Sequence, residues 1–169
     1  MCLLNTKRLH LRPCQIKDLN CLHELWTEAN VRRFLFDDRQ ISPEETRSLI
    51  DASAINFTNH RYGIWLFFGH ESQRIAGFVG LFHSSQEPAN LLFGTRPQLW
   101  GRGYATEAAL AVLRYAFDVL GLQRVVADVD QPNKASIRVL ERLGMTLIRQ
   151  EILNGHPLLY YEIQSSPAE

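Results

Sequence analysis

A chain of 169 residues is long enough to bury a substantial core without a metal or a disulfide to staple it, and it points to one domain spanning residues 1–169. Lys+Arg and Asp+Glu both total 18, so there is no global basic excess of the kind that holds a nucleic-acid backbone or an anionic membrane. With 46% hydrophobic and 21% charged residues the composition is that of an ordinary globular protein, not a disordered or fibrous one.

Cys2, Cys14 and Cys21 are odd in number and lack CxxC spacing, which reads as thiols of a reducing compartment rather than a zinc site. The first eight residues carry charge and no apolar core of a signal peptide follows. No apolar run approaches membrane-spanning length. Cytoplasmic residence, with neither nucleic acid nor membrane as partner, is therefore the expectation.

Taken in chain order, Arg8–Arg12 alternates polar and apolar as a half-buried strand does, and Pro13 closes it. Residues 15–29 place Ile16, Leu19, Leu22, Leu25 and Trp26 on one face of an expected helix. Ser42-Pro43-Glu44-Glu45 reads as a second helix start, with Ser42 as N-cap and Glu45 completing a capping box. The segment between, 30–42, reads as a loop. Strands follow at 62–69 and 75–83, joined by a hairpin at 70–73, and at 90–95 after a turn at 86–88. Ala105, Ala108, Ala109, Val112, Leu113, Ala116, Phe117 and Leu120 then mark the most regular helix, with Gly121 at its end. A buried strand at 124–129, a helix at 133–143 and two strands around the Asn154-Gly155 turn complete an α+β pattern.

The chemistry sits in Gln98-Leu-Trp-Gly-Arg-Gly-Tyr-Ala-Thr-Glu107, between strand 90–95 and the long helix. A glycine-rich turn into a helix exposes backbone N–H groups at the helix's positive end, a setting suited to a phosphate or pyrophosphate. Gly101 and Gly103 let a ligand approach the main chain, and Arg102 adds positive charge. A P-loop would need Gly-Lys-Ser/Thr, which is absent, and a dinucleotide fingerprint would need glycine where Thr106 stands.

Gln98-x-x-Gly101-x-Gly103 resembles the acetyl-CoA signature of the GNAT acetyltransferases. The run Pro97–Ala108, the segment Thr6–Pro13 and the segment Asn133–Met145 are together similar to the branch that acetylates ribosomal-protein N-termini. The resemblance covers essentially the whole chain. It implies a mixed, mostly antiparallel sheet, flanked by helices and splayed between strands 90–95 and 124–129, with acetyl-CoA in the gap and no metal. It further implies main-chain contacts from Phe93 and Thr95 to the pantetheine arm and a pyrophosphate on Gln98, Gly101, Arg102, Gly103, Tyr104 and Ala105. Asn133 is expected on the pantetheine and Ser136 near the thioester sulfur.

In such enzymes a neutral amine attacks the thioester directly, which requires a proton acceptor for the amine and a donor for the departing thiolate. Where many relatives carry a tyrosine donor this chain has Leu140, so Ser136 is the candidate, with Tyr160 and Tyr161 as remoter ones. Where relatives often carry a glutamate base it has Asn90; His83, Glu87, Asp128, Asp130 and Glu162 are the alternatives. An α-amine of pKa near 8 is about one-tenth neutral at pH 7, against about one part in a few thousand for a lysine amine. A chain without a strong base is thus expected to favour a peptide or protein N-terminus as acceptor. A small-molecule amine such as a polyamine, an antibiotic or an amino acid is the rival acceptor, for which Glu24, Glu28, Asp37 and Asp38 offer an acidic cluster. A non-catalytic acyl-CoA sensor is the rival of another class. The carboxy-terminal hairpin, with its aromatic and leucine positions, suggests a homodimer.

Overall fold

The computed structural model describes residues 2–83 and 88–166. Eight strands form one sheet: β1 (Leu4–Asn5), β2 (Leu9–Pro13), β3 (Ile64–Gly69), β4 (Gly77–Phe82), β5 (Ala89–Thr95), β6 (Arg124–Asp130), β7 (Thr146–Leu153) and β8 (His156–Gln164). Their order is β1-β2-β3-β4-β5-β6-β8-β7, antiparallel throughout except that β5 and β6 run parallel. Among the described residues that parallel junction is held by two pairs, Ala89 with Val125 and Asn90 with Val126. Beyond them the strands part, so the C-terminal halves of β5 and β6 border a wedge. The splay that the resemblance implies is present between these two strands.

Helices cover both faces. On one, α4 (Tyr104–Arg114) and α5 (Lys134–Arg142) pack over Trp65, Phe67, Val79, Leu81 and Val125. On the other, α1 (Leu19–Thr27), α2 (Ala29–Leu35) and α3 (Pro43–His60) close over Ile64, Leu66, Phe68 and Phe78, with Trp26 wedged edge-on against Phe78. Strand alternation explains the division: Trp65 and Phe67 point one way, and Ile64, Leu66 and Phe68 the other. β3 is buried on both faces, so it reads as a continuous apolar run.

Several local signals act as expected. Ser42 accepts from the Glu45 amide at 3.1 Å and the Glu45 carboxylate reaches back, with Pro43 at the first helical position. Asn154 and Gly155 both take positive φ, 51° and 78°, as a tight hairpin turn between β7 and β8 demands.

The segment 15–42 departs from expectation. A 3-10 turn occupies Ile16–Asp18, where Ile16 lies exposed rather than on a core face, and α1 ends at Thr27. Glu28 then adopts extended backbone (φ −62°, ψ 132°) and its carboxylate caps a new helix, accepting from Asn30 N at 2.9 Å and Val31 N at 3.1 Å. Half of the expected loop is therefore α2, started by a residue outside the usual capping set. The two-residue β1 was also not anticipated. The Gln86 and Glu87 positions of the expected turn lie outside the described residues.

Candidate functional site

The wedge opens into a cavity of about 610 Å³, within the range that accommodates small-molecule ligands. One wall comes from β5 (Phe93, Gly94, Thr95), one from the turn and first residues of α4 (Gly101, Gly103, Tyr104, Ala105, Thr106), and one from Asn133, Ser136 and Arg138 around α5. The fourth is α2, through Asn30, Val31, Arg33, Phe34 and Leu35. Eight residues anticipated for a site are thus brought together: Phe93, Thr95, Gly101, Gly103, Tyr104, Ala105, Asn133 and Ser136. Gln98 and Arg102 sit on the same turn, exposed and outside the lining.

Backbone geometry accounts for the glycines. Gly101 and Gly103 both have φ 77°, a conformation that strains any residue with a Cβ. Gly103 is the N-cap of α4 and supplies no capping side chain, so amides of the first turn face the cavity without a side-chain acceptor. The turn is braced from outside: Glu107 accepts from Thr6 Oγ1 at 2.6 Å and Arg8 Nε at 2.9 Å, and Arg8 lies over the Tyr104 ring. Burial opposes ionisation of Glu107, yet those hydrogen bonds hold its carboxyl below the usual range.

Two hydroxyls in the lining, Thr95 Oγ1 and Thr106 Oγ1, are buried without a protein partner. Native interiors rarely leave such groups unpaired, and in this lining both are free to bond a polar atom of a ligand. The Thr95 carbonyl is already engaged by the Trp100 indole at 2.7 Å, which leaves the hydroxyl as the distinctive offering of that residue. Asn133 caps α5, its Oδ1 accepting from Ser136 N at 3.3 Å. Its amide nitrogen takes no part in that bond.

The lining's charged side chains are Arg33, Lys134, Arg138 and Arg142, with no carboxylate among them. None of the four is ion-paired among the described residues. The expected acidic cluster is not assembled at this wall. Glu28 is consumed as a cap, Asp38 pairs with Arg32 at 3.5 Å, and Glu24 is exposed on α1.

The base and acid alternatives fall elsewhere. His83 bonds Tyr62 at 2.8 Å and stacks on His60 at 3.9 Å, beside the closed end of the β5–β6 junction. Glu162 is ion-paired with Arg124, Tyr160 lies under Arg149, and Tyr161 is buried. Asp128 is exposed, and Glu87 lies outside the described residues. Asp130, at the end of β6, has its carboxyl raised above the ordinary value by burial and then by the charge of Asp37, with Asp128 adding to it and His156 opposing. Leu140 is a core residue with 1% exposure. Sequence reasoning missed Gly94 and Trp100, and it expected the segment 30–42 to line the acceptor groove as a loop, where residues 29–35 form helix α2. Gly94 carried the one legible signal, a glycine inside a strand; a Cβ there would meet the Phe78 ring at 2.6 Å.

A sheet split between parallel strands, with an uncapped helix start facing the opening, is a cleft with an anion site at one end. The acetyltransferase (GNAT) domain model matches residues 8–146, and the chain belongs to that family. It is 28% identical over 161 residues, 92% of this chain and 91% of the relative, to the uncharacterised N-acetyltransferase YoaA of Bacillus subtilis. It is 27% identical over 149 residues, 86% and 78% of the two chains, to the spermidine N(1)-acetyltransferase of Escherichia coli K12. Among solved structures, RimL, a ribosomal L7/L12 alpha-N-protein acetyltransferase in complex with coenzyme A, superposes with a TM-score of 0.81 at 22% identity, over 96% of this chain and 98% of that one. The chain is accordingly an N-acetyltransferase of a family that uses acetyl-CoA. Among the described residues no group of His, Cys, Asp and Glu is arranged to hold a metal, and no helix is long and apolar enough to cross a membrane.

Proposed function

We propose that this enzyme acetylates the α-amine of a peptide or protein N-terminus. The observation that carries the reading is the charge of the cavity wall: among the described residues it has four unpaired cations and no carboxylate. A polycationic acceptor would find no carboxylate in this lining, and on the α2 wall it would meet Arg33, like charge that is costly wherever water is excluded. An N-terminal α-amine is also the acceptor that least needs the base missing at Asn90, because about a tenth of it is already neutral at pH 7.

Within this reading the lining residues divide the work. The amides of Gly103, Tyr104 and Ala105, beside Gly101 and with Gln98 and Arg102 at the rim, hold the pyrophosphate. Lys134, Arg138 and Arg142 complement the remaining phosphate charge of coenzyme A. The free edge of β5 at Phe93 and Thr95, together with Asn133, pairs with the amides of the pantetheine arm. Bound acetyl-CoA supplies an acetyl group activated as a thioester. Ser136 is the proton donor to the departing sulfur, because it is the hydroxyl of the α5 first turn that lines the cavity. The α2 wall then shapes the acceptor groove, with Phe34 and Leu35 excluding water and Arg33 supplying charge.

A second reading rests on one observation, the neighbouring carboxylates Asp37 and Asp130. They lie two residues beyond Leu35 and two before Pro132, so they flank the lining segments and offer a cationic acceptor a foothold. Thiol release from acetyl-CoA separates the two readings. The panel is a peptide with a free N-terminal serine, the same peptide N-terminally blocked but containing lysine, and spermidine. The free peptide is expected to be turned over at least about tenfold more efficiently than the others, roughly 1.4 kcal/mol in transition-state terms. Preference for spermidine would replace the peptide reading with the polyamine one.

A further inference from the structure

Of the nine phenylalanines and three tryptophans in the chain, all but Phe34 and Trp100 pack into one of the two core clusters. Both exceptions line the wedge cavity. A large ring left out of a core forgoes the burial that would stabilise it there. Two such rings in one lining make an apolar surface for a ligand.

Both are held in place by their surroundings. The Trp100 indole donates to the Thr95 carbonyl at 2.7 Å, while 53% of the residue stays exposed. Phe34 rides on α2, which is fixed by the Glu28 cap and by Val31 packed into the second core cluster. On the β5 wall, Gly94 lines the cavity without a side chain, and a Cβ there would strike the Phe78 ring. Val31, Leu35 and Phe78 complete the apolar part of this lining.

Two occupants suit an apolar slot beside a thioester: the side chain of the acceptor's first residue, or an acyl chain longer than acetyl. The α2 wall separates them. Asn30 and Arg33 share it with the apolar residues, and Arg33 has no ion-pair partner among the described residues. Side-chain N–H donors next to an apolar surface match a peptide, whose carbonyls flank each side chain. A saturated acyl chain offers no acceptor beyond its thioester carbonyl.

We infer that Phe34, Leu35 and Trp100 form a slot for the side chain of the acceptor's first residue, so that the enzyme selects N-termini beginning with a large apolar residue such as leucine or methionine. This rests on the N-terminal reading proposed above and names its substrate class. Serine in first position leaves the slot unfilled, and aspartate brings a charge against the rings.

The test is kcat/KM for free peptides that differ only at residue 1, with leucine, methionine, serine or aspartate there, at one concentration of acetyl-CoA. Leucine and methionine should exceed serine by at least about tenfold, and aspartate by more. Phe34→Ser should lower the leucine-to-serine ratio by about tenfold. Phe34→Leu keeps the slot apolar and should hold that ratio within about threefold of the parent. A ratio taken within one variant cancels any partial loss of fold or of cofactor binding, and the panel on the parent needs no variant at all. Equal turnover of the four peptides would overturn the inference while leaving the N-terminal reading intact. No turnover of any of them would sink that reading and the inference with it. A residue-1 ratio unmoved by Phe34→Ser, together with a shift in preference from acetyl-CoA to butyryl-CoA, would give the slot to the acyl chain instead.

Discussion

On the peptide reading, specificity is set by one side chain of the α2 wall, Arg33. It projects from α2, its guanidinium lies 5.0 Å from the Phe34 ring, and no carboxylate neutralises it among the described residues. On the peptide reading, an acceptor with an acidic residue near its amine gains attraction from Arg33 and one with a basic residue meets repulsion. For partly solvated charges somewhat under 10 Å apart the effect is about 1 kcal/mol, or roughly fivefold in kcat/KM. Arg33→Glu should therefore invert the order of acidic and basic peptides while leaving the KM for acetyl-CoA unchanged, since Arg33 belongs to the α2 wall and not to the glycine turn. Steady-state kinetics on a peptide pair differing only at the second residue measures it. An equal loss on both peptides would make Arg33 a structural residue instead.

At the scale of elements, the firmest joint outside the site is the latch between β2 and α1. Arg12 makes two 2.8 Å bonds to Asp18, and Asp18 also accepts from Gln15 N at 2.8 Å. Burial works against ionisation of Asp18, but the Arg12 and Gln15 hydrogen bonds outweigh it and hold the carboxyl below its ordinary value. A depressed carboxyl pKa contributes stability that is present above the unfolded value, about 4, and is lost as pH falls through the folded one. Asp18→Asn should cost about 2 kcal/mol at neutral pH, near 4–8 °C in melting temperature for a chain of this size. Thermal unfolding followed from pH 7 to pH 3 should show the gap between parent and variant closing at the acid end. A gap that stays constant with pH would mean that Asp18 acts by packing alone.

Elements also show what the sequence could and could not announce. The α3 cap, the Asn154-Gly155 turn and the alanine face of α4 were legible because each is settled within a few residues by backbone geometry. α2 was not, because its start depends on a glutamate cap and its place on Val31 packing against Trp26 and the second core cluster. In the site, Gly101 and Gly103 announced themselves through spacing. Gly94 is demanded by the Phe78 ring across β4, and Arg33 and Trp100 enter only because α2 and the turn meet at the wedge. Local chemistry was readable; adjacency made by folding was not.

Taken as a whole, the molecule is two sheet arms joined by two residue pairs and by helices α4 and α5. The arms are unequal: β1–β5 carry the buried aromatic core, while β7 is largely exposed. Such a joint leaves the edges of β5 and β6 beyond Asn90 and Val126 without strand partners, so their gap-facing amides depend on whatever occupies the wedge. Hydrogen exchange on the free protein should find those amides between residues 92 and 95 fast, and the β4 amides at 78–81 slow. Adding acetyl-CoA should protect the former and the first turn of α4, with little change in β4. The same binding should raise thermal stability by mass action, about 2.7 kcal/mol at a hundredfold excess over the dissociation constant. Protection confined to α4, with 92–95 still exchanging fast, would show that the pyrophosphate is held by the helix start while the pantetheine arm does not pair with β5. The proposed cradle would then be half right: an anion site without the strand-like grip on the thioester that orients it toward the acceptor.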